Sequence, residues 1–461
     1  MMHVPEDVTY ILNMLASHGH HSYVVGGCVR DFLLNKNPND YDIATPAMPE
    51  DVMKIFNSHE VLPTGLQHGT VTVVINHKPY EITTFRYDGD YSDNRRPDSV
   101  EFTNDIVEDL KRRDFTMNAI AYNPHDGFVD PFNGVEDIEN KIIRCVGSPS
   151  VRFHEDGLRI LRAMRFAAQL RFDIEDNTSL AMRNSKHLLD NISAERIQGE
   201  LVKILKSKCC GNKVMKKYAD IMCRIIPEIE PMIDFNQNSS YQIYDLWEHT
   251  LRCMDYFFLD YGYDDEDDIV TRLAVLFHDI GKPQCDSKDE YGFSTFYNHA
   301  DISAKIAYDV LRRLRFSNDI VNDVSQLVSY HMTHLLTNNK ADVKMLLNKI
   351  GEKQTRRLIF IRICNFVSGT RLYFNQNRML CAVQCANNEL NEIIKNNECY
   401  NLKQLAVNGD DLMEHGVPEG KDIKIILDAL LSDVIEEKLE NNKKTLLKEV
   451  DKIVTMYYVN C

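Results

Sequence analysis

The chain has 461 residues, 44% of them apolar, and a formal net charge of −16. That apolar content excludes wholesale disorder, and no run approaches the roughly 18 apolar residues of a membrane-spanning helix. The twelve cysteines are scattered without a C-x-x-C pair, which argues against a disulfide frame and for a reducing, cytoplasmic location. The first residues, Met1-Met-His-Val-Pro-Glu-Asp, lack the basic and apolar parts of a signal peptide. A length prior gives roughly three domains. The acidic balance by itself disfavours a nucleic-acid partner, but the charge is unevenly spread. Between Lys141 and Lys217 sixteen Lys and Arg face eight Asp and Glu, so this segment is +8 and the remainder −24. A basic patch on an acidic body suits contact with a phosphate backbone.

Val4–Ser17 has helical spacing, with Pro5 in its first turn. The apolar strand at Tyr23-Val-Val then enters Gly26-Gly27 and a short helix carrying Arg30 and Asp31, followed by Asn39-Asp40-Tyr41-Asp42. Pro49 to about Phe56 reads as a helix. Thr70–Ile75 and Tyr80–Phe85 are β-branched runs joined by Asn-His-Lys-Pro, which predicts a hairpin. Asp88–Pro97 is polar and predicted to be a mobile loop, and Ser99–Phe102 a further strand. From about Phe153 onward everything reads as helical, with an acidic connection at Tyr261–Asp268. The expected fold is therefore an α+β head, a mixed sheet with helices, over residues 1–145. An all-α remainder follows: a neck at 146–235, a helical domain at 236–370 and a tail at 371–461.

Glycines without a Cβ let backbone N–H groups approach a bulky anion, and carboxylates at i and i+2 of a strand share a face. Gly26-Gly27 with Asp40 and Asp42 thus reads as a phosphate cradle beside a site for magnesium. Two such ions can activate an attacking hydroxyl and stabilise a departing pyrophosphate. Glu81, on the second hairpin strand, is the candidate third carboxylate.

Gly-Gly-x-x-Arg-Asp followed by Asp-x-Asp resembles the DNA polymerase β-type nucleotidyltransferases. Lys111-Arg-Arg-Asp-Phe-Thr-Met-Asn-Ala and Glu155-Asp-Gly-Leu-Arg-Ile-Leu-Arg-Ala-Met-Arg-Phe-Ala-Ala168 narrow the resemblance. It falls on the class II branch, which holds bacterial-type CCA-adding tRNA nucleotidyltransferases and poly(A) polymerases, and it covers about residues 20–235. The resemblance implies catalytic Asp40 and Asp42. It also implies that Gly27 and Arg30 contact the nucleotide, that Arg113 lies near the ribose, and that Arg162 and Arg165 continue the binding face. Leu158, Leu161 and Met164 would face the core. In this family the loop matching Asp88–Pro97 is thought to help the switch from C to A addition.

Asp156 and Arg159, three apart, would be neighbours on one helical face. Ionised Asp only accepts and Arg only donates. Cytosine and adenine each offer an amino donor beside a ring-nitrogen acceptor and match the pair, whereas guanine and uracil present a carbonyl and an N–H and are rejected. The implied partners are CTP, ATP and the tRNA 3′ end, held by the basic segment, with no DNA and no membrane. The oligomeric state stays open. Poly(A) addition and CC-only or A-only addition use the same site and remain alternatives.

A second constellation is Leu273-Ala-Val-Leu-Phe-His278-Asp279-Ile-Gly-Lys-Pro283, an apolar helix ending in two metal-type ligands, with His249, His299 and His331 on flanking helices. It resembles the HD-superfamily phosphohydrolases, with the pattern His…His-Asp…Asp, and implies a second divalent metal on His249, His278 and Asp279. Asp319 and Asp323 are candidates for the closing aspartate. In a reading of another class, the chain is a phosphohydrolase whose head senses nucleotides.

Overall fold

The computed structural model describes residues 2–38, 40–63, 65–89, 99–238, 243–257, 268–333, 339–369 and 373–456. They form two compact units, Met1–Pro227 and Glu228–Cys461.

The first unit opens with α1 (Glu6–Ser17), β1 (Tyr23–Val25), α2 (Gly27–Leu33), β2 (Asp42–Thr45) and α3 (Pro49–Ile55). Next come β3 (Glu60–Leu62), β4 (Thr70–Ile75), β5 (Lys78–Thr84), β6 (Arg86–Asp88) and β7 (Val100–Phe102). The head closes with α4 (Ile106–Lys111), β8 (Ala121–Asn123), β9 (Gly127–Val129) and α5 (Gly134–Glu139). Seven strands make one mixed sheet in the order β3-β4-β5-β2-β1-β8-β9, in which only β2 and β5 run parallel. Alternation decides which side is core: along β5, Tyr80, Ile82 and Thr84 are buried while Glu81 is exposed. On the face that carries the site, Val25, Ala44, Phe85, Leu110, Ala119, Ala121 and Val146 close into a core.

The predicted hairpin is present, with a tighter turn than expected. Strand β5 starts at Lys78, and only Asn76 and His77 turn, both with positive φ (50° and 63°). Two consecutive positive φ values match the right-handed twist of the strands, and Asn tolerates them well. Of the polar loop, Asp88 pairs with Val100, and 90–98 lie outside the described residues.

After β10 (Ile142–Ile143) come α6 (Pro149–Glu155), α7 (Leu158–Leu170), β11 (Asp173–Ile174), α8 (Asp176–Asn184), α9 (Ala194–Leu205) and α10 (Ala219–Ile225). The second unit holds α11 (Leu246–Tyr256), α12 (Ile269–Phe277), α13 (His299–Arg313), α14 (Asn318–Tyr330) and α15 (Lys340–Gly369), the last kinked at Gly351. The expectation of helix alone beyond Phe153 is corrected by β11, which pairs with β10, and by a hairpin at Ser287–Lys288 and Ser294–Thr295. Each strand is two residues long, too short to leave a period-2 signal. The acidic connection lies outside the described residues except for Asp268. That carboxylate caps α12 at the Val270 amide (3.0 Å) and holds the buried Arg357 at 2.6 and 2.9 Å. No helix among the described residues is long and apolar enough to cross a membrane.

Candidate nucleotidyl-transfer site and a buried histidine cluster

Strand β1 ends just before Gly26, whose φ of 77° is one L side chains rarely adopt. A Cβ there would stand 2.8 Å from Arg113 Nη1, so the glycine also makes room for a guanidinium. Gly27 begins α2, and Arg30, one turn in, donates to Asn118 (2.8 Å) and Asp31 (2.8 and 2.9 Å). These residues line a cavity of about 540 Å³ together with Asp42, Arg113, Asp156, Arg159, Arg162 and Arg165. The residues expected from sequence to bind the nucleotide are therefore gathered in one place. Leu161 and Met164 are fully buried, while Leu158 reaches the cavity wall.

The cavity also takes in Arg112, Asp114, Asn118, Phe166 and Arg196, none of which has a role in the sequence reading. Three of them lie inside the quoted run Lys111–Ala119 and could have been read from it. Arg196, 40 residues beyond Asp156, left no signal. The ring of Phe166 carries the guanidinium carbons of Arg30, Arg162 and Arg165 at 5.1, 5.5 and 4.3 Å from its centroid. Such contacts contribute about 0.5–2 kcal/mol each and help hold like charges together. Burial pushes the Asp114 carboxyl up, but Arg162, the Asn118 hydrogen bond and Arg159 outweigh it and hold it at about 2.

Two geometric expectations are corrected. Asp40 is not on the strand with Asp42: β2 begins at Asp42, and Asp40 is exposed just before it. Neither forms an ion pair among the described residues, and neither belongs to a group of three converging ligands there. Asp42 sits at the cavity rim, where burial raises its carboxyl pKa, Arg113 lowers it and Asp40 raises it again. The parallel register Ile43↔Ile82, continued one residue back, sets Asp42 level with Glu81 on the same face. The hard oxygen donors of Asp42 and Asp40, neither held in an ion pair among the described residues, are of the type magnesium takes.

Nor do Asp156 and Arg159 share a helix. Glu155 ends α6, Asp156 is extended (φ −146°, ψ 105°), and α7 starts at Leu158. Gly157 packs so tightly on Leu188, with a Cβ position 3.1 Å from it, that the turn is fixed there. The Asp156 carboxylate accepts from the Leu158 amide (3.0 Å) and from Arg196 (2.8 Å). Arg159 donates to the carbonyls of Arg152 (3.1 Å) and Arg112 (3.0 Å). Both side chains still line the same cavity, because the turn, rather than a helical face, brings them together.

In the second unit the histidines converge. Around the buried Asp279 carboxylate, the Nε2 atoms of His278, His299, His331 and His249 lie at 3.1, 3.3, 3.4 and 3.7 Å. Lys282 Nζ is 2.7 Å away. The Nδ1 atoms of His278, His299 and His331 each meet the carbonyl three residues earlier, at 2.7, 2.7 and 2.6 Å. Donation there leaves the Nε2 lone pairs pointing inward. Those of His299 and His331 face each other at 3.2 Å, and His278 Nε2 and Asp279 Oδ1 are buried without a hydrogen-bond partner. Asp319 and Asp323 do not close the cluster: Asp319 lies in the first turn of α14 and Asp323 pairs with Arg357 at 3.1 Å. His299 and His331 take that place, since α13 begins and α14 ends beside Asp279.

Burial, with His278 next in size, lowers His249 to about 3, and burial lowers His331 to about 4. Below about pH 6.5 the unfolded chain takes up protons that these two residues refuse when folded. Their contribution is therefore full above pH 6.5 and lost as pH falls through about 4 and 3. We expect the second unit to lose stability from pH 6.5 downward, and a His249→Gln/His331→Gln double variant to show a flatter denaturation profile over that window.

Family models match in three places. The Poly A polymerase head domain matches residues 22–144, and the RNA- and SrmB-binding site of polymerase A matches 171–231. The tRNA nucleotidyltransferase domain 2 matches 287–450. The CCA-adding enzyme of Oceanobacillus iheyensis is 33% identical over 445 residues, 95% of both chains. That of Bacillus cytotoxicus is 42% identical over 251 residues, so this chain spans 63% of that relative's length, and 53% of its own, in the match. The crystal structure of the Bacillus stearothermophilus CCA-adding enzyme in complex with CTP superposes with a TM-score of 0.69 at 28% identity, covering 99% of each chain. The chain belongs to the CCA-adding enzyme family.

Proposed function

We propose that the chain adds C, C and A in turn to the 3′ end of tRNA, drawing on CTP and ATP and releasing pyrophosphate without a nucleic-acid template. One observation carries this: a single cavity joins Asp42 to an arginine cluster and to the Asp156–Arg159 turn. The terminal hydroxyl oxygen of the RNA attacks the α-phosphorus, and the bond to pyrophosphate breaks in line. Gly27, Arg30, Arg113, Arg162 and Arg165 orient the triphosphate and ribose, while Asp156 and Arg159 read the base edge. Asp40 and Asp42, with Glu81 level beside them, would hold magnesium, which when bound supplies charge neutralisation at the reacting phosphate. In this reading residues 1–145 are the catalytic head, 146–235 the neck that meets the RNA, 236–370 a helical domain and 371–461 a tail. A cytoplasmic location is supported by eleven free cysteines among the described residues. Incorporation from CTP alone, ATP alone and both, on tRNA lacking its 3′ end, tests the activity. Exclusive use of ATP would assign poly(A) or A-only addition instead.

The histidine cluster supports a second reading. His249, His278, Asp279, His299 and His331 suit a transition-metal ion, which would give the chain a phosphohydrolase activity separate from nucleotidyl transfer. Three inward lone pairs around one carboxylate, with Lys282 on its Oδ2 atom, make a donor set that a transition-metal ion would complete. Purified chain titrated with Mn²⁺ or Zn²⁺ is expected to bind at this cluster and gain about 2.7 kcal/mol of stability at a hundred times the dissociation constant. Asp279→Ala removes the gain and Asp42→Ala keeps it; equal gains in all three would sink the assignment.

A further inference from the structure

The donors around Asp279 fall into two sets, one on each carboxylate oxygen. Oδ1 faces His299 and His331 at 3.3 and 3.4 Å, and Oδ2 faces His278 and His249 at 3.1 and 3.7 Å. The Oδ2 set has a further member that the histidine pattern does not contain. Cys253 stands one turn after His249 on α11, so both side chains leave the same helical face, and its Sγ lies 3.7 Å from His249 Nε2. His249, Cys253 and His278 place one donor atom each within 4.8 Å of one another, and all three are buried. A buried cysteine is ordinarily a small apolar filler. This one is packed among imidazole nitrogens, and His278 Nε2 is buried with no hydrogen-bond partner.

We propose that Cys253 Sγ, His249 Nε2, His278 Nε2 and Asp279 Oδ2 form a zinc seat with a thiolate ligand, separate from the His299–His331 side. Zinc bonds of about 2.0–2.2 Å to nitrogen and oxygen and about 2.3 Å to sulfur, at tetrahedral angles, set neighbouring donors roughly 3.3–3.6 Å apart. The separations of 3.1, 3.7 and 3.7 Å already stand close to that figure. Ser368 supplies the outer support, its Oγ lying 3.4 Å from His249 Nδ1 and 2.7 Å from Cys253 Sγ. The hydroxyl can accept from the imidazole N–H, which turns the Nε2 lone pair inward, and donate to the sulfur once the thiol proton has left for solvent. Lys282 already balances Asp279 at 2.7 Å from the same oxygen, so the thiolate is what offsets part of the ion's charge in this buried place. Four protein donors leave no open position, so the seat is of the structural type and ties α11 to the end of α12. The ion of the phosphohydrolase reading then belongs to the Oδ1 side.

The test loads the full chain with Co²⁺, which takes tetrahedral zinc seats and reports a thiolate ligand as a sulfur-to-cobalt charge-transfer band in the near ultraviolet. The wild-type chain is expected to show the band, and Zn²⁺ to abolish it by displacement. Cys253→Ser is expected to lose the band, while His331→Gln keeps it. Ser368→Ala is expected to keep the band and weaken Zn²⁺ binding about 10–100-fold, the usual cost of losing an outer-shell partner. In the wild-type chain, no Co²⁺ binding, or binding without the band, overturns the proposal before any variant is made. A band that survives in Cys253→Ser overturns it as well, and loss of the band in a folded His331→Gln chain overturns the separation of the two sides. No turnover is read, so a chain that fails to hydrolyse phosphate esters or to incorporate CTP would count against those readings and not against the seat.

Discussion

Asp42→Asn lowers CTP and ATP incorporation by ~10²–10³-fold, as expected when a preorganised charge at the reacting centre is removed. Nucleotide binding should hold within a few-fold, because the arginines and not Asp42 seat the triphosphate. The side chain stands exposed at the cavity rim in no ion pair among the described residues, and desolvation there raises its pKa, with Arg113 pulling it down and Asp40 pushing it up. Asn keeps the shape of the side chain and removes one of two neighbouring negative charges, so the melting temperature is expected to hold. Single-turnover incorporation on truncated tRNA, with CTP binding measured separately, checks both parts. A rate within tenfold of wild type would remove Asp42 from the reaction.

Asp156→Asn is expected to relax base choice. In the family of competing nucleotides, discrimination by one paired edge is worth about 1–3 kcal/mol, a factor of roughly 5–150. Asparagine keeps an oxygen for the Leu158 amide, so the turn between α6 and α7 survives. Its amide also gains two donors, which can meet the carbonyl of uracil that the carboxylate repels. The ratio of kcat/KM for CTP to that for UTP should therefore fall by that factor, with kcat for CTP falling less. An unchanged ratio would move base selection away from this turn.

Most of the head was legible because its signals are local. Alternating β-branched runs and the glycine pair Gly26-Gly27 each act within a few residues. The arginines of α7 came through the family resemblance, and the buried Leu161 and Met164 lie on the core side of the same helix. What escaped depends on turns and on long-range pairing. Asp156 and Arg159 meet through an extended residue that a three-residue spacing hides, and Asp40 lies two residues before the strand begins, outside the reach of a face argument. Arg196 comes from α9, and His299 and His331 replace an expected aspartate because helix ends, not sequence intervals, meet at Asp279.

The arginine cavity holds seven guanidiniums, and every one of them already touches a carboxylate of the protein. Arg30 rests on Asp31, Arg112 and Arg113 on Asp109, and Arg159 on Glu155, while Arg162 rests on Asp114, Arg165 on Glu200 and Arg196 on Asp156. An entering triphosphate thus exchanges one set of anions for another instead of releasing a cloud of mobile ions. Its affinity should respond far less to ionic strength than seven free cations would dictate, in contrast with binding of the RNA. Salt can then loosen the acceptor while the nucleotide stays seated, so the two substrates can be dissociated independently.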